Sequence, residues 1–171
     1  MSSPFLTNTL TPQESAGIHQ LLFISSALIL TAGTVAYMAR KRNDPSLTVQ
    51  NFLGLNLKYL NTERGLTIML VGMVSGIIFG IIDNVGLWFG MSALDPYFTK
   101  VMGIPKGSNE AAGYGNLFSD GLGAFLGTFI GIIVSEYTQV DQDEAPIWVD
   151  AVGVVIGCYL GIQIGKLSGR N

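Results

Sequence analysis

Four long apolar segments, almost free of charged residues, limit what this chain can fold into. A helix needs roughly 20 apolar residues to cross the hydrocarbon core of a bilayer. Segments of this kind lie at residues 16–39, 65–90, 111–135 and 146–165. Only 12% of the residues are charged, against about 25% in soluble domains. The sequence therefore predicts an all-α integral membrane protein, a single domain built as a four-transmembrane-helix bundle in a lipid bilayer.

The segments between the spans differ in character. Residues 1–15 form a polar tail, and residues 40–64 form a basic loop in which "VQNFLGLNLKYL" is a possible interfacial helix. Pro96, Pro105 and Gly107 predict an irregular loop over residues 91–110, and residues 136–145 an acidic turn. The basic loop carries five Lys or Arg residues against four on the opposite side. The positive-inside rule places it on the cytoplasmic or matrix-like side of a membrane that the sequence does not identify.

The composition argues against several classes of function. The net charge of −3 and the lack of a basic stripe argue against a nucleic-acid partner. With one cysteine, Cys158, and one histidine, His19, the chain offers neither a disulfide framework nor a His–Cys zinc site. No nucleophile and base stand in a recognisable motif, so we expect neither an enzyme nor a resident cofactor.

Many of the 22 glycines recur at four-residue steps in three of the predicted spans. Such steps align glycines on one helix face, where another backbone can approach closely. The sets are Gly72, Gly76 and Gly80 in the second span, Gly123, Gly127 and Gly131 in the third, and Gly153, Gly157, Gly161 and Gly165 in the fourth. They predict glycine-striped packing, either in a tight three-helix core or with an additional contact in a homo-oligomer such as a dimer. The first span lacks a stripe and is expected at the periphery.

Polar residues interrupt two of the apolar spans. Asp83 and Asn84 lie in the second span, and Asn116, Ser119 and Asp120 lie in the third. A charged residue at the bilayer centre costs about 2.5–3.5 kcal/mol on insertion scales, and such residues commonly mark functional sites.

The spacing of the two aspartates places them at the same depth. Asp83 lies nine residues before Ser92, and Asp120 lies nine residues after Ala111, where the next helix begins at the same surface. At 1.5 Å per residue, both carboxylates are expected about 13 Å below that surface. With the neighbouring amides and hydroxyl they predict an oxygen-rich cluster.

An oxygen-only cluster suits hard cations, so Asp83 and Asp120 are the candidate metal ligands. Ca²⁺ or Na⁺ would be the transported ion, or a proton shared by the carboxylates would serve exchange. Nearby glycines could also permit a broken helix with coordinating carbonyls. These residues are Gly113, Gly115, Gly121 and Gly123. The alternative is that the polar side chains only hydrogen-bond across helices and set their register.

Three other acidic residues have simpler interpretations. Asp95 is expected to begin a loop turn before Pro96, and Glu110 to cap the third span. Asp150, one turn into the fourth span, either stabilises the start of that helix electrostatically or serves as a ligand in a vestibule.

The two polar stretches, "GIIDNVGLWFG" and "AAGYGNLFSDGLG", resemble the transmembrane protein 65 family of the mitochondrial inner membrane. The resemblance covers residues 72–131: an Asp-Asn pair on one helix, then a Gly-Asn-x-x-Ser-Asp run on the next. It implies sodium-dependent calcium efflux and makes Asp83, Asn84, Asn116, Ser119 and Asp120 the ion-handling candidates. The first span and the "RKRNDP" loop have no counterpart in that pattern.

Two functions follow from these patterns. The first is a small cation transporter or exchanger subunit, working as a homo-oligomer. The second is a structural membrane protein, such as a scaffold beside other subunits of a large complex or a component of a virion's internal membrane.

Overall fold

Helices are the only regular elements in the part of the chain that the structure, a computed structural model, describes: residues 11–55 and 62–168. Four of them are long and apolar enough to cross a membrane, which confirms the number predicted from the sequence. The elements are α1 (Pro12–Asn43), α2 (Val49–Phe52), α3 (Glu63–Lys100), α4 (Asn109–Thr138), a 3₁₀ turn (Gln142–Glu144) and α5 (Val149–Leu167). The chain divides into two compact units, Met1–Val49 and Gln50–Asn171.

The first unit is built on α1, whose apolar side chains surround the helix instead of forming one stripe. Two hydroxyls within it bond back to the backbone: Thr31 Oγ1 donates to the Ala27 carbonyl at 2.8 Å, and Thr34 Oγ1 to the Leu30 carbonyl at 2.7 Å. These bonds satisfy the polar groups inside the helix itself. The last turn of α1 is basic, with Arg40, Lys41 and Arg42.

The helix α3 extends ten residues beyond the predicted end of its span, so the expected loop over residues 91–110 is wrong in its first half. Pro96 lies inside the helix, where it removes one backbone donor. Packing offsets that loss, because Phe98 is buried against Ile104 and Ala111 in the segment that follows. Asp95 does not begin a turn: it lies within α3, and its carboxylate pairs with Lys106 at 3.3 Å.

Hydroxyl side chains cap two of the long helices. Thr62 accepts a hydrogen bond from the Gly65 amide at 3.0 Å at the start of α3. Ser108 accepts one from the Ala111 amide at 3.2 Å at the start of α4. The capping role expected of Glu110 therefore belongs to Ser108, while Glu110 lies in the first turn, where its charge suits the helix dipole.

The structure describes only the first part of the predicted interfacial helix. Val49–Phe52 is helical, and residues 56–60 of the proposed segment lie outside the described residues. The stretch after α2 is fastened to the start of α5, because Trp148 Nε1 donates to the Leu53 carbonyl at 2.9 Å. Gly54, with a left-handed φ of 61°, lies against Pro146.

In the second unit α3 is central. α4 runs antiparallel to α3 and packs on one of its faces, while α5 runs parallel to α3 and packs on another. A groove floored by α3 separates α4 from α5 in part of the unit. We call the end where α4 finishes and α5 begins the acidic end, after Glu136, Asp141 and Asp143. The opposite end, with Lys100, Lys106 and Lys166, is the lysine end.

Candidate functional site

The face that α3 presents to α5 is made of backbone. A methyl group added to Gly80 would lie 2.5 Å from the Cys158 amide nitrogen, and one on Gly76 would meet the Asp150 carbonyl oxygen. From the other side, a methyl group on Gly157 would meet the Ile77 carbonyl oxygen. Both helices therefore contribute glycines, and their backbones approach more closely than side chains allow. The glycines at this contact are Gly72, Gly76 and Gly80 of α3, and Gly153, Gly157, Gly161 and Gly165 of α5.

The face that α3 presents to α4 is built differently, because the glycine stripe lies mainly on α4. Added methyl groups would lie 3.0 Å from the Phe79 carbonyl oxygen at Gly123 and 2.7 Å from the Ser75 carbonyl oxygen at Gly127. At Gly131 the nearest group is the flexible side chain of Gln142. The α4 and α5 stripes thus both contact α3 of the same chain, so neither supplies an argument for a homo-oligomeric interface.

A polar side chain takes the place of glycine at one turn of the α4 stripe. Ser119 is fully buried (0% exposed) and faces Gly86 of α3. Its hydroxyl donates to Asp83 Oδ1 at 2.7 Å and lies 3.1 Å from the Asn116 carbonyl oxygen. The absence of a side chain at Gly86 leaves the room that Ser119 needs to reach Asp83.

Asp120 lies beside this bond. Asp120 follows Ser119 on α4, so its carboxyl group lies near Asp83, the residue to which the Ser119 hydroxyl donates. Asn116 Nδ2 donates to Asp120 Oδ2 at 2.6 Å, one helical turn away. The structure therefore brings together four of the five residues predicted from the sequence, Asp83, Asn116, Ser119 and Asp120, on two antiparallel helices.

Asn84, the fifth predicted residue, faces another way. Its Nδ2 donates to the Gly80 carbonyl on its own helix at 3.2 Å, and its Cβ lies against Gly161 of α5. Successive residues on a helix point about 100° apart, so Asp83 and Asn84 serve the two different faces of α3. We assign Asn84 to the contact with α5 and leave it out of the polar cluster.

The cluster offers oxygens but not a complete metal site. Within residues 11–55 and 62–168, no three His, Cys, Asp or Glu side chains converge. Asp83, Asp120, the Asn116 amide and the Ser119 hydroxyl supply at most about six side-chain oxygens, the lower limit of the six to eight that Ca²⁺ takes, and the hydroxyl already donates to Asp83. Moreover, α4 is continuous from Asn109 to Thr138, so the broken helix that the nearby glycines could permit does not occur, and the backbone carbonyls stay in helical bonds. A bound cation would therefore retain water.

The glycines near the cluster do not break α4, because two of them, Gly115 and Gly123, are packed against α3. Gly115 faces the Met91 sulfur and Gly123 the Phe79 backbone. Close packing offsets the low helix propensity of glycine. At Gly113 and Gly121 no atom lies within 4 Å of an added methyl group.

Three polar residues that sequence reasoning did not connect lie along the groove between α4 and α5. Ser75, Thr128 and Asp150 line one cavity of about 210 Å³. Asp150 is exposed in the first turn of α5. This position is compatible both with electrostatic stabilisation of the helix start and with a ligand in a vestibule. Thr128 lies eight residues after Asp120, and Ser75 eight residues before Asp83. That spacing, two four-residue steps on each helix, was the sequence signal for positions on the same side of the helix.

Comparison with known proteins gave no match. No family model matches the chain, and neither a curated protein nor a solved structure is significantly similar to it.

Proposed function

We propose that this chain is a multi-pass membrane protein that moves a small cation, with Asp83 and Asp120 as the ion-handling groups. The observation that supports the proposal most is one hydrogen-bonded cluster with a carboxyl group from each of two antiparallel apolar helices. Two carboxylates inside a bilayer are costly unless an ion or a proton neutralises one of their charges. The resemblance to the transmembrane protein 65 family points to the same chemistry.

The ligand set favours a partly hydrated Ca²⁺ or Na⁺ ion, or a proton. Asp83 is held in place by the buried Ser119 hydroxyl, while Asp120 is held by Asn116 from within its own helix. In this arrangement Ser119 positions one carboxylate, and the second carboxylate and the Asn116 amide oxygen complete the polar surface. Exchange of a cation for a proton would then require only that one carboxylate of the Asp83–Asp120 pair gains or loses a proton.

Flux measurements on purified protein in liposomes test the proposal. We expect Asp83→Asn and Asp120→Asn each to lower Ca²⁺, Na⁺ or proton flux more than about tenfold, because each removes a charge needed to bind the ion. The matched control is Asp95→Asn, which removes a carboxylate from the same helix at the lysine end, where it pairs with Lys106. Wild-type flux in both site variants would reject the proposal, and so would wild-type protein that moves none of the three ions.

A structural role is the second candidate, and the hydrogen bonding supports it. In the described residues, every buried polar side-chain atom has a hydrogen-bond partner, so none of these buried atoms needs an ion as its partner. On this reading Ser119 and Asp83 fix the register of α3 and α4 in a scaffold protein or a component of a virion membrane.

Thermal unfolding of the wild-type protein with Ca²⁺, Na⁺ or changing pH distinguishes the two candidates. A ligand that binds only the folded state raises its apparent stability, by about 2.7 kcal/mol at a hundredfold excess over Kd. An ion-dependent rise that Asp120→Asn abolishes supports transport. Unfolding that is independent of ions, but occurs at lower temperature in Asp83→Asn, supports the scaffold.

A further inference from the structure

The groove between α4 and α5 runs from the acidic end toward the polar cluster. A cavity of about 310 Å³ at the acidic end is lined by Ser135, Glu136 and Asp141, among others. The cavity of about 210 Å³ lies deeper, between α3, α4 and α5. Both cavities are lined by Ser75 and Thr128, so they are adjacent parts of one groove.

The same helix faces continue from the groove to the two aspartates. On α4, Thr128, Ala124 and Asp120 follow one another at four-residue steps, and the first two line the deeper cavity. On α3, Phe79 also lines that cavity, and Asp83 lies four residues further along. Four residues of helix rise about 6 Å, so the carboxylates lie one turn beyond the deeper cavity.

The groove exists because the glycine stripes draw α4 and α5 onto different faces of α3. Gly127 of α4 packs on Ser75, while Gly153 of α5 packs on Met73. Side chains beside each stripe, Thr128 on α4 and Asp150 on α5, then line the gap. A helix pair that packed directly against each other would have buried these polar groups.

The lining is suited to a hydrated cation. Thr128 and Ser75 place hydroxyls within segments otherwise apolar enough to span a membrane. Asp150 adds a carboxylate midway, and Glu136, Asp141 and Asp143 surround the mouth. A cleft lined by one sign of charge concentrates counter-ions at its base. The opposite surface of α4 is lined by aromatic and aliphatic residues, among them Phe118, Leu122 and Phe125.

We propose that this groove is a water-filled route by which cations reach Asp83 and Asp120 from the acidic end, with Asp150 guiding them. That cations use this route rests on the proposed function, but the presence of water in the groove does not depend on it. Water in the groove is measurable whether or not ions are transported.

Cysteine accessibility in nanodiscs tests the route, because both membrane faces are then open to reagent. The single native cysteine is first removed with Cys158→Ser. Ser135→Cys, Thr128→Cys and Ala124→Cys then place a thiol at increasing depth along α4. A cationic methanethiosulfonate reacts with the thiolate, which forms only where water reaches. The matched control is Phe129→Cys, adjacent to Thr128 but on a lipid-type face, with the Phe129 side chain 57% exposed.

We expect Thr128→Cys to react at least about tenfold faster than Phe129→Cys. The rates should fall in the order Ser135→Cys, Thr128→Cys, Ala124→Cys. In the Thr128→Cys background, Asp150→Asn should slow the cationic reagent about threefold and leave an uncharged reagent unchanged, because only the electrostatic term is removed. Size-exclusion chromatography of each variant confirms that the fold is retained, and Ala124→Cys replaces Thr128→Cys if the latter misfolds.

Two results would overturn the route: Thr128→Cys and Ala124→Cys as slow as Phe129→Cys, or Ala124→Cys faster than Ser135→Cys. The flux assay in liposomes gives a result that is independent of the cysteine accessibility assay. Loss of flux in Asp120→Asn with an unreactive groove keeps the transport proposal and rejects this route. A reactive groove without any wild-type flux supports the hydrated route and rejects transport.

Discussion

The two faces of α3 show two ways of joining apolar helices. Toward α5, glycines on both helices bring backbone against backbone, and Asn84 lies at the edge of that contact. Toward α4, glycines lie mainly on one helix, and Ser119 links across to Asp83. The first face is filled by backbone, with one amide side chain at its edge, whereas the second leaves room for a cluster of polar side chains. The closest backbone packing of α3 is therefore with α5, and its polar cluster is shared with α4.

The largest effect on stability is expected at the α5 face. Gly157→Ala places a methyl group against the Ile77 carbonyl oxygen, and backbone cannot give way as a side chain can. We expect a loss of about 1–3 kcal/mol in the free energy of unfolding, as for overpacked cores. Thermal unfolding in detergent or reversible unfolding in SDS measures it.

The control is the same substitution at Gly113, where no atom lies within 4 Å of the added methyl group. Gly113→Ala should be neutral or stabilise the protein by up to about 1 kcal/mol, because alanine favours a helix over glycine. Equal effects at the two positions would show that close packing on α3 does not distinguish these glycines.

An intermediate effect is expected at the α4 face. Ser119→Ala removes the donor to Asp83 Oδ1 and keeps the small volume that Gly86 requires. Hydrogen bonds between membrane helices are worth about 0.6 kcal/mol on average, so we expect a loss near 0.5–1.5 kcal/mol.

The same variant sharpens the distinction between the two candidate functions. If Ser119 positions Asp83 for an ion, Ser119→Ala lowers flux in liposomes, and Ser119→Thr, which keeps the hydroxyl, restores part of it where it folds. A loss of stability at unchanged flux would assign the bond to helix register alone.

The smallest effect is expected where the α4 stripe reaches the acidic end. A methyl group on Gly131 meets only the end of the Gln142 side chain, which can rotate away. Gly131→Ala should therefore change the free energy of unfolding by less than about 0.5 kcal/mol, as surface substitutions do. A loss as large as that at Gly157 would mean that the 3₁₀ turn at Gln142–Glu144 is held rigidly against α4.

Much of the fold could be predicted because its signals are local. Length and hydropathy locate four helices, since a span needs only enough consecutive apolar residues. The end of α3 could not be located in this way. Pro96 is normally read as a breaker, and the packing of Phe98 on Ala111 that keeps the helix intact depends on residues far along the chain.

For the site, too, the sequence predicted the features that depend on local spacing and not those that depend on helix pairing. The equal depth of Asp83 and Asp120 follows from counting residues, because rise per residue is constant in a helix. The direction of Asn84 does not, because spacing shows which residues share a face but not which helix covers it. The groove was not predicted for the same reason: Ser75, Thr128 and Asp150 lie on three helices and meet only in the folded unit.

By itself, the sequence determined that the chain is helical, where most spans lie, and which residues share a helix face, because these depend on composition and on the 3.6-residue repeat. The tertiary structure decided that α3 is central, that α5 packs on its glycine face, and that Ser119 of α4 forms a hydrogen bond with Asp83 of α3. Helix pairing depends on the fit of whole surfaces, and no single stripe of residues contains that information.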